Sequence, residues 1–574
     1  MFQQPGYIEN VSEKLSEVLA DIGVDERIVL KRRRSWLLGE SVMNRSLQLQ
    51  DLKVTHYYLG SQPEGTTTLG LSSDYDLLIC NNNYNIIQDW KDWQPGMVNL
   101  LKIQDATVSP GYCLLQRLRN DAPLPCNFVP DVYFVKDRTG RILLWNGKPY
   151  LLVASFLGEG VRHGPAFAQQ RRPATPDNDF VLAFHCKTWP LQARQWLDQQ
   201  GVGQWPSDDM RRYCSNTGCF VVGVGSKGSE NEETEWRIST SLAERCLMLN
   251  LNITQIRCYV LMKMILKTYI KPQFEDTISS YMCKTVLFHC IANKYSDIWR
   301  ENNLIICLSL QLLVLHNFIL HENCPHFLLP DNNLMRAKIS TEIKPSILDI
   351  LQYVINSEGT ALLGIKCDDL GSRLQLKFNN LRSLKTGNII SAILLKTTAQ
   401  SVFVSIQHCV IRNNDNGATI RNLLKFIFDL VSSSNQCQGF DRTACRLLAP
   451  WFCTTLGSVL ASLNIQQFHG ISPEALTWIS LGLNTDVASS KLKLASMYFC
   501  IGDYHRTETA LRDIEGKYDQ NIVQPVCNCH FSQQGYINVR GFNEISDTHI
   551  EEALQHTAAF CVTFLTSEIK LYSS

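Results

Sequence analysis

The residues best placed to do chemistry are two aspartates on one strand and the glycine-serine turn just ahead of them. The turn is Gly60-Ser61-Gln62-Pro63-Glu64-Gly65-Thr66, and the acidic pair follows in Ser73-Asp74-Tyr75-Asp76-Leu77-Leu78-Ile79. Strand side chains alternate between faces, so Asp74 and Asp76 point the same way and can share divalent cations, while Tyr75 points to the other side. Backbone N–H groups in a small-residue turn approach phosphate oxygens closely, and the Ser61 hydroxyl adds a donor. Metal-assisted phosphate chemistry is the expectation. The apolar run Leu77 to Cys80 marks a buried strand, which gives the pair a rigid support. Asp-x-Asp also occurs in ordinary loops, so the reading requires a third carboxylate.

The elements that must position these groups change character along the chain. Residues 9 to 50 carry Val11, Leu15, Val18, Leu19 and Ile22 at helical spacing. Residues 51 to 185 hold short β-rich runs between Gly, Pro, Asn and Asp: 53–59, 131–135, 141–145 and 179–184. A mixed α/β core fits them. The polar, Gly-rich stretch from Val202 to Glu235 reads as strand and loop. Helical character returns at Ser239, breaks at Pro330-Asp331-Asn332-Asn333, and dominates from about 345 onward. Within that last part, Leu494-Ala495-Ser496-Met497-Tyr498, Gly502-Asp503-Tyr504 and Ala510-Leu511 resemble part of a tetratricopeptide helix hairpin, near 486–518, with a plain bundle as the alternative.

Composition sets bounds. With 574 residues, 45% hydrophobic and 19% charged, the chain is globular and long enough for about two to four domains. Its N-terminus lacks the basic and apolar regions of a signal peptide, so a cytoplasmic location and mostly reduced thiols among the 21 cysteines are expected. Leu304 to Leu320 includes Ser309, Gln311, His316 and Asn317 and reads as a core helix, giving no membrane span. A formal net charge of zero argues against a wholly basic nucleic-acid binder. The one basic run, Lys31-Arg32-Arg33-Arg34, is either a solvated helix face or a nucleic-acid contact. Cys527, Cys529 and His530 could form half a zinc site, or be ordinary thiols in a loop.

The third carboxylate is Asp179. It opens Asp179-Phe180-Val181-Leu182-Ala183-Phe184-His185-Cys186-Lys187-Thr188-Trp189-Pro190, which resembles the strand and Trp-Pro turn of the cyclic GMP-AMP synthase family and its male-abnormal-twenty-one (Mab) relatives. Three further blocks occur in that family's order. Trp236-Arg237-Ile238-Ser239-Thr240-Ser241-Leu242-Ala243-Glu244 resembles its Trp-Arg-x-Ser-x-Ser-x-x-Glu motif, Ser280-Tyr281-Met282-Cys283-Lys284-Thr285 its Ser-Tyr-x-x-Lys-Thr helix, and Phe327-Leu328-Leu329-Pro330 with Asn333-Leu334 the close of its helical lobe. The resemblance runs from about 25 to 340.

It implies an α+β fold: a bilobed polymerase-beta-type nucleotidyltransferase core with a helical, HhH/H2TH-like second lobe, then an all-α C-terminal region. The expected segments are a helical spine at 1–50, the core at 51–245, the helical lobe at 246–340 and the C-terminal region at 345–574. Asp74, Asp76 and Asp179 become the metal triad for Mg2+ or Mn2+, hard cations suited to oxygen ligands and phosphates. Gly60, Ser61 and Glu64 match the nucleotide-holding turn. Arg237, Ser239, Ser241 and Glu244 match base- or acceptor-positioning residues, and Lys284 a triphosphate contact. ATP and/or GTP are the implied substrates and a cyclic dinucleotide the implied product, made on sensing a ligand in innate immune signalling.

The family's His-Cys-Cys-Cys zinc thumb is absent, since Glu244 runs through Arg245 to Asn250 into the next helix. That leaves double-stranded RNA or another ligand as the activator. No base-stacking aromatic is evident around Leu313 to His316. The competing readings are a catalytically silent scaffold in developmental signalling and a linear oligonucleotide synthase. The C-terminal helices are expected to dock a protein partner, restrain the enzyme or sense ligand.

Overall fold

The structure, a computed structural model, describes residues 6–169, 177–199, 201–202, 204–275, 277–294, 296–336, 338–409, 415–519, 523–526, 550–562, 564 and 568. Cys527, Cys529 and His530 lie outside them. The chain divides into two compact units: Met1–Val29 with Tyr57–Thr386, and Leu30–His56 with Gly387–Ser574. The long helix Glu26–Leu49 thus lies mainly in the second unit, which resumes at Gly387.

The first unit is built on one sheet. Its strands are β1 (Val54–Leu59), β2 (Tyr75–Asn81), β3 (Tyr84–Ile87), β4 (Val98–Ile103), β5 (Tyr112–Arg117), β6 (Phe134–Lys136), β7 (Ile142–Leu144), β8 (Val161–His163), β9 (Ala166–Gln169), β10 (Asn178–Cys186), β11 (Cys219–Val222) and β12 (Glu235–Ser239). The main order is β1-β2-β10-β11-β12-β5-β4-β3. β2 and β10 run parallel, with Asp76 opposite Asp179 and Leu78 opposite Val181. The period of two then separates the faces. Leu78 and Cys80 join Ala183, Phe220 and Val222 in one small core. On the other face Leu182 packs with Val153 and Phe167, with Ile79 and Phe180 beside them. The carboxylates therefore stand at the open end of the first face.

Helices cover this sheet. Ile253–Ile265 is buried on nearly every side and continues as a π-helical turn, Leu266–Ile270. Ser280–Ala292 and Leu304–Leu320 pack with it, burying Leu304, Cys307, Leu312 and Leu315 as a core helix should. By length and composition alone, three described helices could cross a bilayer: Glu301–Leu320, Gly387–Cys409 and Gly439–Phe468. One helix was not expected, Asp208–Thr217 within the Gly-rich stretch. Ser207 caps it by accepting from Met210 N, and Asp208 and Asp209 sit in its first turn, where acids are favoured.

Among its described residues the second unit is helical apart from the start of β1, Val54 to His56, and two short paired strands, Gln524–Val526 and Ala558–Phe560. Leu38 and Val42 share its core with Phe403, Phe426, Leu430 and Phe452. The tetratricopeptide-like stretch is a helix hairpin, Ser489–Cys500 and Tyr504–Lys517. Gly502 supplies the left-handed turn between them (φ 77°). A hairpin is all that the stretch establishes.

Candidate active site

Asp76 and Asp179 meet because their strands are parallel and in register, and Asp74 lies two residues earlier on the same face. Asp177, which the sequence reading did not single out, completes a block of four: its carbonyl accepts from Tyr75 N at 2.9 Å. Burial against the small apolar core raises the Asp76 carboxyl to about 7, and Asp179 and Asp74 add to the shift against the pull of Lys284. Asp74 is raised in the same sense, by desolvation and then by Asp179 and Asp177, while Lys271 and Lys263 oppose. Asp179 is raised by burial and by Asp177, with His163 opposing. Among the described residues, no three His, Cys, Asp or Glu side chains are gathered closely enough to hold a metal ion. The structure thus brings the expected triad to one face without closing it into a ligand set. The donor chemistry fits a hard divalent cation: crowded carboxylates with raised pKa values are groups that such a charge would relieve.

The turn is pressed against this block. Gly60 (φ 74°, ψ −160°) occupies a conformation that side chains disfavour, and a Cβ there would run into Asp76 Oδ2. Ser61 begins the short helix Ser61–Glu64. Lys263, also not anticipated, reaches Ser61 Oγ at 2.8 Å, Thr66 O at 3.1 Å and Ser73 Oγ at 3.4 Å. Burial lowers its pKa to about 8, with Glu64 opposing. One helical turn on, Lys267 bonds Gly70 O at 2.8 Å, and Lys271 follows at the same spacing. The sequence signal was there: lysines at i, i+4 and i+8 in a helix otherwise apolar enough to be core.

Glu64 and Lys284, both expected at the nucleotide, also meet each other. Both are buried and form an ion pair at 2.7 Å. Burial alone would lower the Lys284 pKa, but Glu64, Glu244 and Asp76 raise it overall.

These groups line a cavity of about 530 Å3. Gly60, Ser61, Glu64, Asp76, Arg237, Ser239, Ser241, Glu244 and Lys284 all face it, while Asp74 and Asp179 stand outside its lining. Ser239 Oγ donates to Ser241 Oγ at 3.2 Å. At the far end Glu244 Oε1 accepts from Thr240 Oγ1 at 2.9 Å and from the Tyr281 hydroxyl at 3.0 Å. His326 completes the chain. Its Nδ1 accepts from Leu328 N at 3.0 Å and Leu329 N at 3.1 Å, so the proton of the neutral ring is on Nε2. Nε2–H then donates to the Tyr281 oxygen at 2.6 Å. Burial keeps the ring neutral by lowering its pKa, with Glu244 opposing. Tyr281, not the segment Leu313 to His316, puts an aromatic ring in the cavity wall.

The basic run lies in the other unit and is not a solvated face. Arg32 and Arg33 are buried, 5% and 9% exposed, which removes them as phosphate contacts; Lys31 donates to Ser391 Oγ at 3.3 Å and Arg34 is exposed. Among the described residues, Cys500 and Cys561 aside, 17 cysteines are free thiols.

No curated protein matches the chain. Residues 173–250 match the Mab-21 protein nucleotidyltransferase domain, and residues 254–351 match the Mab-21 protein HhH/H2TH-like domain. The matched segments hold Asp179, Arg237, Ser239, Ser241, Glu244, Lys263, Tyr281, Lys284 and His326; the Gly60 turn and Asp74/Asp76 lie before them and rest on the geometry above. Residues 173–351 are thus similar to the two domains of the Mab-21 family, adjoining and in the family's order.

Proposed function

We propose that the cavity binds ATP or GTP and transfers its nucleotidyl group to a hydroxyl of a second nucleotide, giving a cyclic dinucleotide in answer to a ligand such as double-stranded RNA. The observation that supports this reading is the division of charge at one cavity: Asp76 and Lys284 line it, Asp74 and Asp179 lie beside Asp76 on β2 and β10, and Lys263 holds the Ser61 turn that also lines it. A nucleoside triphosphate with its cation carries both complementary charges.

Asp74, Asp76 and Asp179 would hold Mg2+ or Mn2+, which when bound neutralises phosphate charge and activates the attacking hydroxyl. The amides of the Ser61 turn and its hydroxyl take phosphate oxygens, and Lys263 fixes that turn while adding positive charge. Asp179, with a raised pKa, is suited to accept the proton of the attacking hydroxyl. As that oxygen bonds to the α-phosphorus, pyrophosphate leaves. Arg237, Ser239, Ser241, Glu244 and Tyr281 orient the base. Catalysis is then mainly positioning and electrostatics. Free thiols and the expected location together suit a cytoplasmic innate immune role.

The test is incubation of the full chain with labelled ATP and GTP, Mg2+ or Mn2+, and double-stranded RNA, double-stranded DNA or no ligand, beside Asp76→Asn. A phosphatase-resistant product from the wild type alone is expected, and the productive lane identifies the ligand. Linear products would replace the cyclic reading. Absence of product together with absence of nucleotide binding would leave the scaffold.

A further inference from the structure

The loop Thr66–Ser73 joins the Ser61 turn to Asp74, so its shape sets the spacing between the phosphate-holding and acidic groups. Lys263 and Lys267 hold it along one side, through the carbonyls of Thr66 and Gly70. A residue some 300 positions later holds the other. Asp368 Oδ2 accepts from Thr68 Oγ1 at 2.5 Å, and its Oδ1 accepts from Gly70 N at 2.8 Å. The approach is close enough that a Cβ on Gly70 would lie 2.7 Å from Asp368 N. Asp368 and Asp369 are also consecutive non-glycine residues in the left-handed region, at φ 51° and 56°. Aspartate tolerates that conformation better than most side chains, and two in succession are uncommon.

We propose that Asp368, in a segment beyond both matched domains but within the same compact unit, is a positioning residue that clamps Thr66–Ser73 and so presets the site for a nucleoside triphosphate. What the loop serves rests on the nucleotidyltransferase reading; the clamp itself does not. The segment following the helical domain is thereby part of the active-site support. Asp369 is exposed, shares the backbone conformation, and makes none of the loop contacts described for Asp368. It is the natural control.

The experiment uses the full chain with Asp368→Gly, Asp369→Gly and Asp368→Asn. Glycine relieves the backbone at either position, so a merely structural role for Asp368 would leave both glycine variants folded and binding alike. Two quantities are read: amide hydrogen exchange of residues 66–73 without ligand, and the dissociation constant for Mg2+-ATP. In Asp368→Gly, exchange at Gly70 should rise at least ~10-fold and ATP binding weaken at least ~5-fold, with no loss of melting temperature. Asp369→Gly should match the wild type in both, and Asp368→Asn, which keeps an acceptor for Gly70 N, should recover most of the binding. Unchanged exchange in Asp368→Gly overturns the clamp, and faster exchange with unchanged ATP affinity overturns the positioning role. If the wild type binds no nucleotide, the proposed function fails and the exchange measurement still decides the clamp.

Discussion

Replacing Asp76 with Asn should stabilise the metal-free protein while abolishing nucleotidyl transfer. Burial and the neighbouring carboxylates lift the Asp76 carboxyl from 3.8 to about 7 in the folded state. At about 1.4 kcal/mol per tenfold, that lift corresponds to roughly 4 kcal/mol of instability above pH 7. Coupling to Asp179 and hydration of the cavity reduce it, so a gain of about 2 kcal/mol is expected for Asp76→Asn at pH 8. The sign follows from proton counts. Between pH 4 and 7 the folded state keeps a proton that the unfolded chain has released, so wild-type stability falls as pH rises through that window. Below pH 4 both states are protonated and the two proteins converge. Urea unfolding read by hydrogen exchange on β2 and β10 peptides, in chelator, reports this unit alone. Adding Mn2+ should then stabilise the wild type more than the variant. An Asn variant no more stable than wild type at pH 8, or a gap that does not close toward pH 4, would refute the desolvation argument.

Three further outcomes test other parts of the site. Gly60→Ala forces a Cβ into Asp76 and a side chain into a glycine conformation, so transfer should drop roughly 100-fold, measured as product formed per minute. Lys284→Met strands the buried Glu64 charge and should cost about 3–5 kcal/mol in a urea titration, most of it restored by adding Glu64→Gln. Lys263, lowered to about 8 by burial, carries its charge below that pH and loses it above; ATP affinity should therefore fall about tenfold from pH 7 to 9 in calorimetry, and Lys263→Met should flatten that dependence.

Much of this was legible because the signals are local. Asp74-Tyr75-Asp76 followed by an apolar run must be a strand with its acids on one face, and Gly60 before it is a turn whatever the rest of the chain does. The Trp236–Glu244 and Ser280–Lys284 blocks likewise lie on a strand and on helices whose apolar residues fix their orientation. What was missed is non-local or masked by composition. Asp177-Asn178-Asp179 repeats the spacing of Asp74-Tyr75-Asp76, but only the fold shows that Asp177 stands close enough to raise Asp74. That Glu64 also pairs with Lys284, some 220 residues on, could be seen only in the packed structure. The basic run looked exposed because four adjacent charges usually are; the helix instead turns Arg32 and Arg33 inward. Asp368 gives no sequence signal at all, since its meaning depends on a loop some 300 residues away.

The same electrostatics links the stability of this site to its ligand. Four carboxylates at the ends of two adjacent strands repel one another and are partly desolvated, which is why three of them show raised pKa values. The nearby lysines only partly offset this: Lys284 pairs with Glu64, Lys263 with the Ser61 turn and Lys267 with the loop carbonyls, while Lys271 and Lys263 pull Asp74 down and Lys284 pulls Asp76 down without reversing either shift. Moving a lysine across to the carboxylates would relieve the repulsion and destroy the division of charge. These carboxylates are consequently less stable as charges than neutral groups of the same shape would be, and under the proposed function a ligand that brings a divalent cation and phosphates recovers that difference. On the proposed reading, part of the binding energy for a cation-bearing nucleotide lies in the crowding of Asp74, Asp76 and Asp179.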